Sequence, residues 1–103
     1  MFKISDLAAD QIKLSEQQLD NKDLRLRISV RMTEDKKISY KMGFDDFYDI
    51  DIKLEVNGIK VVVDTDSENL IKGMLIDYCE LDGKEQIVFL NPNDPVGDNK
   101  AEE

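Results

Sequence analysis

Any chemistry in this 103-residue chain has to be built without histidine and with a single cysteine, Cys79. General acid–base catalysis leans most often on histidine, and a cysteine nucleophile needs a neighbouring base, so neither reaction type has its usual parts. Cys79 lies in a strand pattern on the parity opposite Ile76 and Tyr78, and reads either as a packed side chain or as a reactive or ligating thiol. One cysteine excludes an intrachain disulfide and a Cys-x-x-Cys site. The glycines at 43, 58, 73, 83 and 97 are each isolated, so the chain has neither a phosphate loop nor a dinucleotide fingerprint.

Three polar groupings remain. Asp64, Asp66 and Glu68 alternate as carboxylates and offer oxygen donors to a hard cation. The segment lacks the loop glycine and distal glutamate of a calcium hand, and helix capping by Thr65 and Glu68 explains the same residues. Arg25, Arg27 and Arg31, the only arginines, stand on one face of one strand. They either answer acidic residues of the same molecule or form a face for a carboxylate-rich or phosphorylated partner, which a guanidinium fork suits. The third is Asp45-Asp46-Phe47-Tyr48-Asp49-Ile50-Asp51, read as a solvated connection whose Phe47 and Tyr48 are either tucked beneath it or offered to a partner.

The elements that position these residues follow from periodicity. Asn57-Gly58 signals a two-residue turn with positive φ at both positions, pairing Val56 with Ile59, Leu54 with Val61 and Ile52 with Val63. Leu24 to Met32 alternates, and Ile38 to Phe44 answers it with Met32 against Ile38 and Leu26 against Phe44, which sets Arg25 across from Asp45. A third hairpin turns at Asp82-Gly83, matching Ile76 with Phe89 and Tyr78 with Ile87. It also sets Glu80 against Glu85, so its loop is expected to splay. A helix capped by Ser5 or Asp6 ends by Asp20-Asn21, with Leu7, Ala8, Ile12 and Leu19 on its apolar side. A short helix of about two turns follows Thr65, with Gly73 beyond it.

The order is helix, two strands, two strands, short helix, two strands: an α+β domain over residues 1–93. Residues 94–103 read as a flexible acidic tail, with nothing past Leu90 that gains from burial. One core suits this length. A net charge of −9 argues against nucleic acid and anionic membrane, and the lack of a long apolar run or signal-like start makes the cytoplasm the expected location.

Taken together, several stretches resemble the HesB/IscA-like family, also called A-type iron–sulfur carriers or the iron–sulfur cluster biosynthesis domain. They are Ile4-Ser5-Asp6-Leu7-Ala8-Ala9-Asp10, Leu24 to Arg31, Ile38-Ser39-Tyr40 with Phe44-Asp45-Asp46, Val56 to Asp64, Leu70-Ile71-Lys72-Gly73 with Ile76-Asp77-Tyr78, and Phe89-Leu90-Asn91-Pro92-Asn93. The resemblance implies a single compact domain of mixed and antiparallel strands packed as small sheets, with one N-terminal helix and one short helix, as a monomer or homodimer. It also implies a cluster or iron held by three cysteines. Those positions fall here on Asp35, Asp98 and Lys100, so the three thiolates are absent and a carboxylate pair, Asp35 and Asp98, is the residual metal candidate. The expectation is a degenerate metal site with no cofactor and no catalysis. Such an accessory module would meet a protein partner, within iron–sulfur assembly, through Arg25, Arg27, Arg31, Asp45, Asp46, Phe47 and Tyr48. The alternative is a carrier of iron(II) or an iron–sulfur cluster using carboxylates and Cys79.

Overall fold

The computed structural model describes residues 1–94 and the backbone of 99–100. Its elements run β1 (Lys3–Ile4), α1 (Asp6–Gln17), β2 (Arg25–Met32), β3 (Ile38–Asp45), β4 (Ile52–Val56), β5 (Ile59–Val63), a 3-10 helix (Thr65–Leu70), β6 (Leu75–Leu81), β7 (Lys84–Leu90) and β8 (Asn99–Lys100). All three hairpins form in the register that side-chain alternation dictates, with Leu26 on Phe44, Leu54 on Val61 and Ile76 on Phe89. Asn57 and Gly58 take φ of 48° and 79°, as the tight turn requires. Asn57 also donates through Nδ2 to the Ile4 carbonyl at 3.0 Å and to Asp6 at 2.8 Å, tying the turn to the start of α1.

Two parallel pairings bring together segments distant in sequence. β2 lies beside β5 through Leu26–Val61 and Ile28–Val63, giving a sheet in the order β3-β2-β5-β4. β1 lies beside β6, giving β1-β6-β7-β8. The inward faces meet in one core, where Tyr40 stacks on Phe89 at 4.6 Å between ring centroids and 8° between planes. Eleven large side chains there, including both rings, Ile28, Ile59 and Ile76, are under 2% exposed, the burial that stabilises a domain of this size.

Some local expectations hold and several are corrected. Helix α1 ends at Gln17, within the expected limit of Asp20-Asn21, and is capped as expected by Ser5, whose hydroxyl accepts the Ala8 N–H. It buries Ala8, Ala9 and Ile12 while Leu7 faces outward at 63% exposure, because small residues let the helix sit close over the sheet. The short helix is 3-10 with Asp64 at its N-cap and no side-chain cap bond, so Thr65 and Glu68 form no capping box. Ser67 is the buried member instead. The β2–β5 ladder ends at Ile28–Val63, and further along β2 the Ser67 hydroxyl accepts the Val30 N–H at 2.8 Å. The Glu80–Glu85 pairing does not splay its loop, since Asp82 and Gly83 close a tight turn with φ of 54° and 81° and both carboxylates reach water.

Past Leu90, Asn91 and Asp94 are buried, against expectation. The amides of Asn91 and Asn93 donate to the carbonyls of Leu70 and Lys72, each at 2.8 Å, meeting acceptors that the end of a helix leaves unsatisfied. Asp94 accepts from the Tyr40 hydroxyl at 2.7 Å. Asn99–Lys100 pair with Val88–Phe89. The rest of the expected tail, 95–98 and 101–103, lies outside the described residues. No helix among the described residues is long and apolar enough to cross a membrane.

Candidate functional site

Alternation along β2 puts Arg25, Arg27 and Arg31 on the outer face, and each finds partners within the chain. Arg27 is more enclosed than Arg31, with 16% of its side chain exposed against 49%. Its guanidinium forks onto Asp51, with Nη1 at 3.0 Å from Oδ1 and Nη2 at 2.6 Å from Oδ2, while Nε reaches Asp45 at 3.1 Å and Nη2 the Asp46 carbonyl at 2.9 Å. This arrangement uses the forked donor geometry that lysine lacks.

Asp51, expected in a solvated connection, has only 4% of its side chain exposed. Its carboxylate also accepts the Tyr48 N–H at 2.8 Å, and its own N–H donates to the Tyr48 carbonyl at 3.0 Å. The Arg27 hydrogen bonds, helped by the Tyr48 N–H, lower the Asp51 pKa to about 2. The same pairing raises the Arg27 pKa.

Loop 46–51 is therefore wound around one ion pair, and its apolar residues have nowhere inward to go. Phe47 is 39% exposed, Tyr48 62% and Ile50 75%. Arg25 covers the Phe47 ring at 4.8 Å and Arg27 the Tyr48 ring at 5.8 Å, contacts that hold the rings in place and leave their outer surfaces open. The Lys53 ammonium donates to the Tyr48 carbonyl at 3.0 Å. The result is an ordered apolar patch bordered by Asp45, Asp46 and Asp49.

Further along β2, Arg31 pairs with Asp64 and reaches Ser67 at 2.8 Å, with Asp66 at 3.8 Å. Burial pushes the Asp64 carboxyl up, but bonds from Arg31 and Ser67 outweigh it and leave the pKa below its usual value. Asp64 is thus committed to an arginine and a hydroxyl. Glu68 belongs to the same 3-10 helix but takes no part in those bonds.

Asp35 is exposed in the turn between β2 and β3, where Thr33 and Lys37 bond across the turn. Asp98 lies outside the described residues, and Lys100 is described by its backbone alone. Cys79 is half-buried in β6, paired in register with Gln86. Among the described residues, no three histidine, cysteine, aspartate or glutamate side chains converge as a metal site.

No protein-family model matches the chain. Curated relatives do. The chain is 32% identical over 93 residues to the "Putative iron-sulfur cluster insertion protein ErpA" of Cupriavidus metallidurans, covering 89% of this chain and 76% of that protein. It is 35% identical over 91 residues to the protein of the same description from Methylibium petroleiphilum, covering 86% and 74%. The chain belongs to the HesB/IscA-like family. Solved structures agree on the fold: Escherichia coli SufA superposes with a TM-score of 0.70 at 18% identity over 89% of this chain and 86% of that one. IscA with a 2Fe-2S cluster gives 0.67 at 19% over 89% and 83%, and an Aquifex aeolicus protein 0.64 at 33% over 88% and 91%.

Within this HesB/IscA-like chain the donor set does not fit a cluster. Cluster iron takes thiolates, and the one thiol sits mid-strand in β6, away from the β2–β3 turn that carries Asp35. The arginine face, the acidic segment and its aromatic residues are the ones the sequence singles out; the exposure of Ile50 and the burial of Asp51 are not legible there. The available signal for Asp51 was an aspartate three residues after Tyr48, the spacing at which an aspartate folds back onto a backbone N–H.

Proposed function

We propose that this chain is a non-catalytic accessory module of iron–sulfur biosynthesis that docks a protein partner through loop 46–51. Support comes from the ordered exposure of Phe47, Tyr48 and Ile50 on a loop fixed by the Arg27–Asp51 pair. Rigid aromatic anchors lose little entropy on binding, and interface hot spots favour such residues with a polar rim. Asp45, Asp46 and Asp49 supply the rim and a preference for a basic surround on the partner. Arg25 and Arg27 act from below by holding the rings. The relatives' description as insertion proteins points to components of iron–sulfur assembly as the partner class. The chain itself offers an interaction surface where its relatives offer a cluster.

Crosslinking the full chain in a lysate of its own host, followed by mass spectrometry, tests this reading. Expected is capture of an iron–sulfur assembly component that falls at least about tenfold with Tyr48→Ala, the fold being intact by circular dichroism. Equal capture by the two forms would overturn the reading.

A further inference from the structure

Away from loop 46–51, a cleft of about 430 Å³ opens between α1, the β2–β3 hairpin and the β6–β7 hairpin. Ile12, Leu26, Met42, Phe44 and Ile87 make its apolar walls. Glu85 and Tyr78 also line it. Glu80 stands directly across the ladder from Glu85, and neither carboxylate forms an ion pair among the described residues. Glu85 in the cleft lining and Glu80 beside it on the ladder are like charges that disfavour each other and favour a cation with an apolar stem. The chain's net charge of −9 favours the same sign of ligand.

The form of the ligand follows from the strand beside the cleft. β3 is outermost in its sheet, so beyond β2 it pairs with no other strand among the described residues. Gly43 has open space where a Cβ would stand. A second hollow, of about 330 Å³, adjoins Met42, Gly43 and Phe44 together with the outward-facing Arg27 and Lys41. An extended peptide laid along such an edge gains main-chain hydrogen bonds and sends alternate side chains to opposite faces of the sheet.

We propose that an extended, arginine-bearing segment of a partner protein adds to β3 at Met42–Asp45 and lays the arginine in the cleft. Its stem lies along Leu26, Met42 and Phe44, and its guanidinium meets Glu85 and Glu80. Arginine suits the site better than lysine, because its fork serves two carboxylates and its plane stacks on a ring.

Amide NMR of the isotope-labelled full chain, titrated with the peptide Thr-Val-Arg-Val-Thr, provides the test. Saturable shifts are expected at Met42, Gly43, Phe44 and Gln86. The dissociation constant should rise about tenfold in Glu85→Gln, the loss of one charge-assisted bond. Glu85 is exposed and glutamine keeps its size, so the variant retains the fold; Glu80→Gln, also at an exposed position, gives a second reading in the same direction. The same peptide with a central glutamate should not saturate. Equal binding of the glutamate peptide, unchanged affinity in both variants, or shifts away from β3 would overturn the proposal. So would n-butylguanidinium binding as tightly as the peptide, which would make this a site for small cations.

Discussion

Arg27→Met is expected to lower the melting temperature by on the order of 10 °C and to release loop 46–51. The substitution keeps the aliphatic stem and removes the guanidinium, leaving the enclosed Asp51 carboxylate with the Tyr48 N–H and the more distant Lys53 charge to answer it. Arg27 also holds Asp45 and the Asp46 carbonyl, so one change frees both ends of the loop. Thermal unfolding measures the first effect and tryptic cleavage within 46–51 the second. A variant as stable and as protease-resistant as the original would mean that the fork is not what orders the loop.

The same pair fixes a pH dependence. The Asp51 pKa falls from 3.8 to about 2 on folding, so the folded state binds fewer protons at this group than the unfolded chain. Its contribution is complete above pH 3.8 and lost as the pH drops through about 2. Acid titration of stability should therefore fall across that window, and Arg27→Met should flatten the fall.

Phe89→Ala is expected to cost about 3–5 kcal/mol, a large part of the ~5–15 kcal/mol that holds a typical domain together. Phe89 has no exposed surface and stacks on Tyr40, which belongs to the other sheet. Removing its ring opens a void between the sheets and loosens Tyr40, whose hydroxyl holds Asp94. Urea unfolding read by circular dichroism should show the midpoint collapse or the chain unfold outright. A loss below about 1 kcal/mol would place the core elsewhere.

What the sequence made legible was local. Each hairpin could be registered from alternation and a two-residue turn, because both strands lie within about twenty residues and a one-residue slip would turn Leu26 or Leu54 toward water. Family membership was legible from the order of short stretches, although Asp35 stands where a ligand thiol was expected. Distant pairings were not legible: β2 beside β5 and β1 beside β6 depend on which hairpin faces docks, and alternation alone does not say. Polar burial failed for the same reason. Ser67, Asp94 and Asp51 carry the composition of loops, and only the tertiary fold brings Val30, Tyr40 and Arg27 to them. The arginine face was read with both alternatives open, and the structure engages all three residues internally while leaving the rings over Arg25 and Arg27 exposed. Under the proposed function, the aromatic residues are the contact surface and the arginines their support.

An accessory role rests on the missing thiolates, and anaerobic reconstitution of the full chain with iron(II) and sulfide tests it most directly. After desalting, the visible spectrum should show no sulfide-to-iron absorption in stoichiometric yield, and Asp35→Ala and Asp98→Ala should leave residual iron binding unchanged. A stable, stoichiometric chromophore that disappears in Cys79→Ser would contradict the account and return this chain to the carriers it resembles.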